Sequence, residues 1–217
     1  MPTLEQARHW YPADDPVHGF EHVLRVYRMA ERLALAEGAD LETVRAAVLL
    51  HDAQDSQAGG DEEQAEKRGN HHLRSAEFAA KVLGAEGWPV ERIAAVQHCI
   101  QAHRFRDDST APQTLEAQVL FDADKLDAIG AIGVVRALAF AISAGKPVYY
   151  PVSPGFLETG ELEAGEAHSA YHEYLFKLVK LKDRLYTPSA RILAEQRHAR
   201  MVEFFEGLSA EMGSWAA

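Results

Sequence analysis

Apolar residues recur along this chain at the three- and four-residue spacing of a helix, without the two-residue alternation of a half-buried strand. That periodicity restricts the fold to helices packed on helices. In "HGFEHVLRVYRMAERLALAEG" (18–38), Val23, Val26, Ala30, Leu33 and Ala34 share one stripe, and Gly38 supplies a stop. "DLETVRAAVLLHD" (40–52) opens on Asp40 as N-cap, and "NHHLRSAEFAAKVLG" (70–84) runs from Asn70 to Gly84. "WPVERIAAVQHCIQAH" (88–103) places Pro89 at its first helical position. "TLEAQVLFDADKLDAIG" (114–130), "HSAYHEYLFKLVKLKDRL" (168–185) and "TPSARILAEQRHARMVEFFEGL" (187–208) read as further helices. The only strand candidate, "KPVYYPV" (146–152), is broken by proline. Two polar segments, 53–69 and 150–166, read as mobile loops, with a lid as one use for them. The expectation is an all-α chain of one domain.

Composition narrows the partners. A formal net charge of −11 argues against a nucleic-acid surface, which needs clustered cations to neutralise phosphates. It leaves room for a small phosphorylated ligand, because a local cation outweighs the global field. Cys99 is the one cysteine, so no internal disulfide forms and a reducing compartment fits. The N-terminus shows no signal-peptide pattern. The most apolar stretch, 128–145, is interrupted by Arg136 and falls short of the ~20 residues of a membrane span. A cytoplasmic protein with no membrane partner is expected.

Eleven histidines are the chemical signal. The apolar run "AAVLL" ends in His51 and Asp52. Burying a carboxylate without compensation is costly, so Asp52 either reaches solvent or has a partner. For an isolated His-Asp pair, solvent is the simpler answer. His22 sits on the inward face of the first long helix, where a hydrogen-bonded core histidine is the ordinary reading. Asp122, Asp124 and Asp127 crowd one and a half turns, and mutual repulsion disfavours joint ionisation unless a cation is near. Together, His22, His51, Asp52 and Asp124 offer two imidazoles and two carboxylates from three helices. Such a mixed set suits a divalent ion: Mn, Mg, Co, Ni, Fe or Zn. Water on such an ion is acidified into a nucleophile, and the ion polarises a phosphoryl oxygen.

The order H…HD…D, carried by "EHVLRV", "LLHDA" and "DADKLDAIGAIG", resembles the HD-domain metal-dependent phosphohydrolase superfamily. The chain is most similar to the short single-domain bacterial branch that includes nucleoside triphosphate pyrophosphohydrolases. "RSAEFAAKVL", "HCIQAHRF" and "LFKLVKLKDRLYTPSARILAEQR" extend the likeness over nearly the whole chain. The resemblance implies an HD-type helical bundle over 1–217, with a metal-binding core at about 18–130 and C-terminal helices at about 168–212 packed on it. It implies metal ligation by His22, His51, Asp52 and Asp124, with Asp122 the competitor of Asp124. It also implies hydrolysis of a phosphate bond in a nucleotide, with a (deoxy)nucleoside triphosphate preferred.

Further residues are expected around that centre. Lys125 adjoins Asp124 and is the first choice to stabilise developing charge, while Asp127 or a histidine such as His103 assists proton transfer. Arg25, one turn beyond His22, and Arg74, Lys177 and Lys180 are candidate phosphate contacts. His71, His72, His98 and His103 are candidates to extend the site. His98 and His103 lie about 140° apart on a regular helix, so one ion does not take both unless the helix ends or distorts. Two other functions compete. One is an oxygenase with two irons, for which that spacing supplies no evident second clamp. The other is a nucleotide sensor without turnover.

Overall fold

The computed structural model describes residues 1–12, 15, 17, 19–53, 71–104 and 110–213. Every regular element among them is helical. They form two compact units, Met1–Asp124 and Lys125–Ala217.

The first unit contains α1 (Leu4–Arg8), α2 (Phe20–Glu37), α3 (Leu41–Leu50), α4 (His71–Ala85), α5 (Val90–Ala102) and most of α6 (Leu115–Asp127). Its centre is α3, which packs against α2, α5, α4 and α1. Seven of its ten residues are buried: Thr43, Val44, Ala46, Ala47, Val48, Leu49 and Leu50. From Ala46 to Leu50 the helix is apolar on all sides, and such a stretch belongs inside. Each fully buried Val or Leu contributes about 1.5–3 kcal/mol. At its outer end, the Asp40 side chain accepts from the Thr43 amide at 2.8 Å, the N-cap expected there. The inner end stops at His51.

The periodic stripe of α2 is buried as read, and Gly38 ends the helix in the left-handed region at φ 79°. Pro89 stands one residue outside α5, as its N-cap. The start expected at Asn70 and the loop expected at 53–69 lie outside the described residues, apart from Ala53. The short helix α1 was not foreseen. It is closed by a capping box in which Thr3 and Gln6 satisfy each other's backbone amides.

The second unit contains α7 (Gly130–Ser143), α8 (Pro154–Thr159), α9 (Ala170–Phe176), a 3-10 helix (Leu178–Arg184) and α10 (Pro188–Gly213). Gly130 has φ 78°, and a Cβ there would lie 2.9 Å from the Cβ of Arg197. Glycine therefore serves both the turn and the close approach of α10. The helix expected over 168–185 is two elements, because Lys177 leaves helical geometry at φ −121°. Beyond it Leu178 and Leu181 are three residues apart and both buried, the spacing that a 3-10 helix stacks on one face. Among the described residues no single helix is long and apolar enough to cross a membrane.

Segment 150–166, read as a loop, is pinned. Glu166 Oε1 accepts from the Ser153 amide at 2.7 Å and faces His172 Nε2 at 3.0 Å. Its Oε2 accepts from the Ser153 hydroxyl and the Glu163 amide, both at 2.8 Å. Burial works to raise this carboxyl, but the Glu163 and Ser153 amides, His172 and the Ser153 hydroxyl overcome it and hold Glu166 at about 2. A depressed carboxyl stabilises the fold fully above its unfolded value, near 4.5, and loses that contribution as pH falls toward 2. Glu166→Gln is therefore expected to flatten stability against pH below 4.5, as measured by urea unfolding at stepped pH. An unchanged acid limb would show that Glu166 is not the pin.

Candidate metal centre

The site is built where helices begin and end. His51 is the C-cap of α3 and His103 the C-cap of α5. The last carbonyls of a helix lack intrahelical donors. In both places the histidine supplies one through its own ring: His51 Nδ1–H donates to Val48 O at 2.7 Å, and His103 Nδ1–H donates to Ile100 O. A carbonyl only accepts, so each Nδ1 holds the proton and each neutral ring presents a lone pair at Nε2. His22, in the first turn of α2, and His71, the first residue of α4, arrive from helix starts.

The rings form an unbroken row. Centroids are separated by 5.7 Å from His22 to His51, 5.2 Å from His51 to His103 and 5.4 Å from His103 to His71. Two sets of three donor atoms lie within 4.8 Å of one another: His22, His51 and Asp124, and Asp52, His71 and His103. In the first, His22 Nε2 is 3.4 Å from Asp124 Oδ1. In the second, Asp52 Oδ1 is 3.3 Å from His103 Nε2 and 3.5 Å from His71 Nε2. Asp52 also reaches the first set, because its Oδ2 is 3.4 Å from His51 Nε2. One carboxylate thus faces both triads.

These donors suit a cation better than each other. His51 Nε2 and Asp52 Oδ1 are buried and make no hydrogen bond. His103 Nε2, with its proton on the other nitrogen, turns a lone pair toward a carboxylate lone pair. A divalent ion satisfies such opposed acceptors, and the backbone tie on each Nδ1 is the support that metal-binding imidazoles use. Burial pushes His103 below the ordinary imidazole value, working against the attraction of Asp52. Burial also works to raise Asp52; His51, His103 and His71 hold it well below the usual carboxylate range when they carry charge, and a cation would take over that part once the rings are neutral. Neutral imidazole beside ionised carboxylate is the protonation state that binds metal.

The four ligands expected for one ion are therefore divided. His22, His51 and Asp124 come together, whereas Asp52 sits between them and a second triad completed by His71 and His103. Asp122 is fully buried. His98 goes elsewhere, its Nε2 accepting from the Gln113 amide at 3.1 Å. His72 lies on the buried face of α4 with Ser75, Ala76 and Ala79. Lys125 and Asp127 belong to the second unit, where Asp127 pairs with Arg136 at 3.1 Å. Lys177, in the same unit, pairs with Glu173 at 2.7 Å. The ligand-type residues left in the second rank by sequence reasoning are His71 and His103. A usable signal existed for His103, since "VLLH" and "IQAH" both close an apolar helix on histidine.

Comparison with known proteins places this geometry. The HD-domain family model matches residues 19–129. YpgQ of Bacillus subtilis is 32% identical over 219 residues, 98% of this chain and 95% of that protein. A crystal structure of YpgQ in complex with ADP superposes with a TM-score of 0.71, covering 96% of this chain and 97% of that one at 31% identity. A protein from Lactobacillus plantarum gives 0.75 at 30% identity, covering 99% and 100% of the two chains. An HD-superfamily hydrolase from Bacillus thuringiensis gives 0.69 at 28% identity, covering 99% and 95%.

Manganese titration followed by calorimetry and elemental analysis tests the two triads. Two equivalents are expected for the wild type and one for His71→Ala, with both affinities lowered at least tenfold in Asp52→Asn. A single equivalent that His71→Ala leaves untouched would remove the second position.

Proposed function

The chain belongs to the HD-domain family of metal-dependent hydrolases, and from that membership we propose a nucleotide phosphohydrolase that cuts a nucleoside or deoxynucleoside triphosphate into monophosphate and pyrophosphate. The observation that carries this reading is the Asp52 carboxylate set between two triads of buried donors. The ADP bound by YpgQ supports a nucleotide as the ligand class. A divalent ion, when bound, supplies a Lewis acid that acidifies water and draws charge from a phosphoryl oxygen.

The residues divide the remaining work. His22, His51 and Asp124 would hold one ion and His71 and His103 a second, with the Asp52 carboxylate facing both. The ties from His51 to Val48 and from His103 to Ile100 fix both rings, so reaction begins without reorganising them. Arg25, half-buried one turn beyond His22, offers charge to the substrate phosphate. In the second unit, Lys125 is proposed for charge stabilisation and Asp127 for proton transfer, on the family resemblance. A nucleotide substrate and a single thiol fit a cytoplasmic, one-domain enzyme.

A second reading has one observation in its favour. Each triad is two histidines and a carboxylate, the set that also holds non-haem iron for oxygen chemistry. The absence of a clamp from His98 and His103 no longer counts against it, because His71 supplies the partner.

A nucleotide panel run with each divalent metal, with phosphate and pyrophosphate assayed separately, tests the proposal. Release of pyrophosphate is expected, with turnover lowered at least roughly a hundredfold in His51→Ala and Asp52→Ala. Unchanged turnover in either variant sinks the assignment. Two irons per chain with oxygen uptake selects the second reading, and tight nucleotide binding without product selects a sensor.

A further inference from the structure

The pattern His-x-Leu-Arg occurs on both helices that bring a histidine to the triads from an N-terminal end. His22-Val-Leu-Arg25 lies in the first turns of α2, and His71-His-Leu-Arg74 opens α4. In each, arginine follows the metal-facing histidine by three residues, which sets the two Cβ atoms about 5–6 Å apart. Helical side chains lean toward the helix N-terminus, so each guanidinium covers the turn that carries its histidine. The core-facing residues lie on the other side of the ring: Val23, Val26 and Ala30 in α2, and His72, Ser75 and Ala79 in α4. Both arginines are half-buried. Each thus sits at the partly exposed edge of the helix face that carries its histidine.

His22 and His71 are the two ends of the row of four rings. Arg25 consequently flanks the first triad and Arg74 the second. Cationic groups are spread along a line, and the ligand that matches a line of cations is an anion whose charge is distributed along its length. A phosphomonoester carries its charge on one group and meets one end of the row. A phosphoanhydride chain meets both. Arginine suits the task, because its planar fork binds phosphate oxygens in pairs.

We propose that Arg74 is a specificity-determining residue, holding the part of a phosphate chain remote from Arg25 and so selecting nucleoside di- and triphosphates over monophosphates. The inference rests on the nucleotide reading above for its substrate class.

The test compares metal-loaded wild type, Arg74→Met and Arg74→Lys. The probes are adenosine monophosphate and the α,β-methylene analogues of ADP and ATP, titrated by calorimetry. Bound metal and circular dichroism are recorded for each protein. Arg74→Met is expected to weaken the ATP analogue by about tenfold to a hundredfold, the loss of a charged hydrogen bond, and adenosine monophosphate by no more than about twofold. Arg74→Lys falls between. If Arg74→Met loses metal or helicity, the same selective loss is required of Arg74→Lys. Equal weakening of all three probes, or no change in any, overturns the proposal. A wild type that cleaves nucleotides while both variants bind every probe normally refutes this inference alone. A wild type that binds by chain length yet cleaves no nucleotide refutes the hydrolase reading alone.

Discussion

Everything at the site depends on the burial of the inner half of α3, Ala46 to Leu50. A helix whose last five residues, Ala46–Leu50, are all apolar and buried does not terminate in water, so its last carbonyls and the residues after them are interior groups. The Val48 carbonyl needs a donor there, and His51 supplies it from its own ring. Meeting that need fixes the tautomer, and the tautomer turns the other nitrogen into an inward-facing lone pair. α5 repeats the solution with Ile100 and His103. Two backbone requirements, satisfied locally, thus aim two metal-type donors at one carboxylate. Asp52 is the cost of this arrangement, since an ionised carboxylate with 7% exposure is tolerable only beside positive charge.

Much of the fold was legible because long helices carry many repeats of their own period. The stripe of α2, the apolar run Ala46–Leu50 of α3 and the stop at Gly38 are properties of adjacent residues. What escaped were features decided at a distance or at short length. α1 has too few residues to show a period, although its capping pair Thr3 and Gln6 could have marked it. Segment 150–166 has the composition of a mobile loop. Its order comes from Glu166, whose oxygens gather the amides of Ser153 and Glu163 together with His172. Composition registers the glutamate as solubilising charge and carries no sign of those partners. The break at Lys177 escaped for a related reason, since leucines three apart suit an α-helix and a 3-10 helix alike.

The site was legible as an inventory of donors and not as a partition. Residue type and order identified His22, His51, Asp52 and Asp124, and the structure brings these four into one region. Their division into two triads follows from how α4 and α5 lie against α3, a tertiary fact. The 140° separation of His98 and His103 was sound geometry for that pair, and His98 indeed bonds elsewhere. It did not bear on a second clamp, because the partner of His103 comes from α4.

The partition makes the two ends of the row unequal. The first triad has Asp124 as its own carboxylate and a share of Asp52. The second has Asp52 as its one carboxylate among the described residues. Equal ions at the two positions would leave the His71 end with more uncompensated positive charge. Asp52 also couples them, since its oxygens serve both and whatever draws one toward a cation alters the other. Arg74 lies on the helix that brings His71 to this end, and a ligand phosphate would add negative charge there. A phosphate chain lying along the row with its more highly charged end toward Arg74 would supply that charge. On the nucleotide reading proposed above, the same division of carboxylates that separates the triads would also orient the substrate.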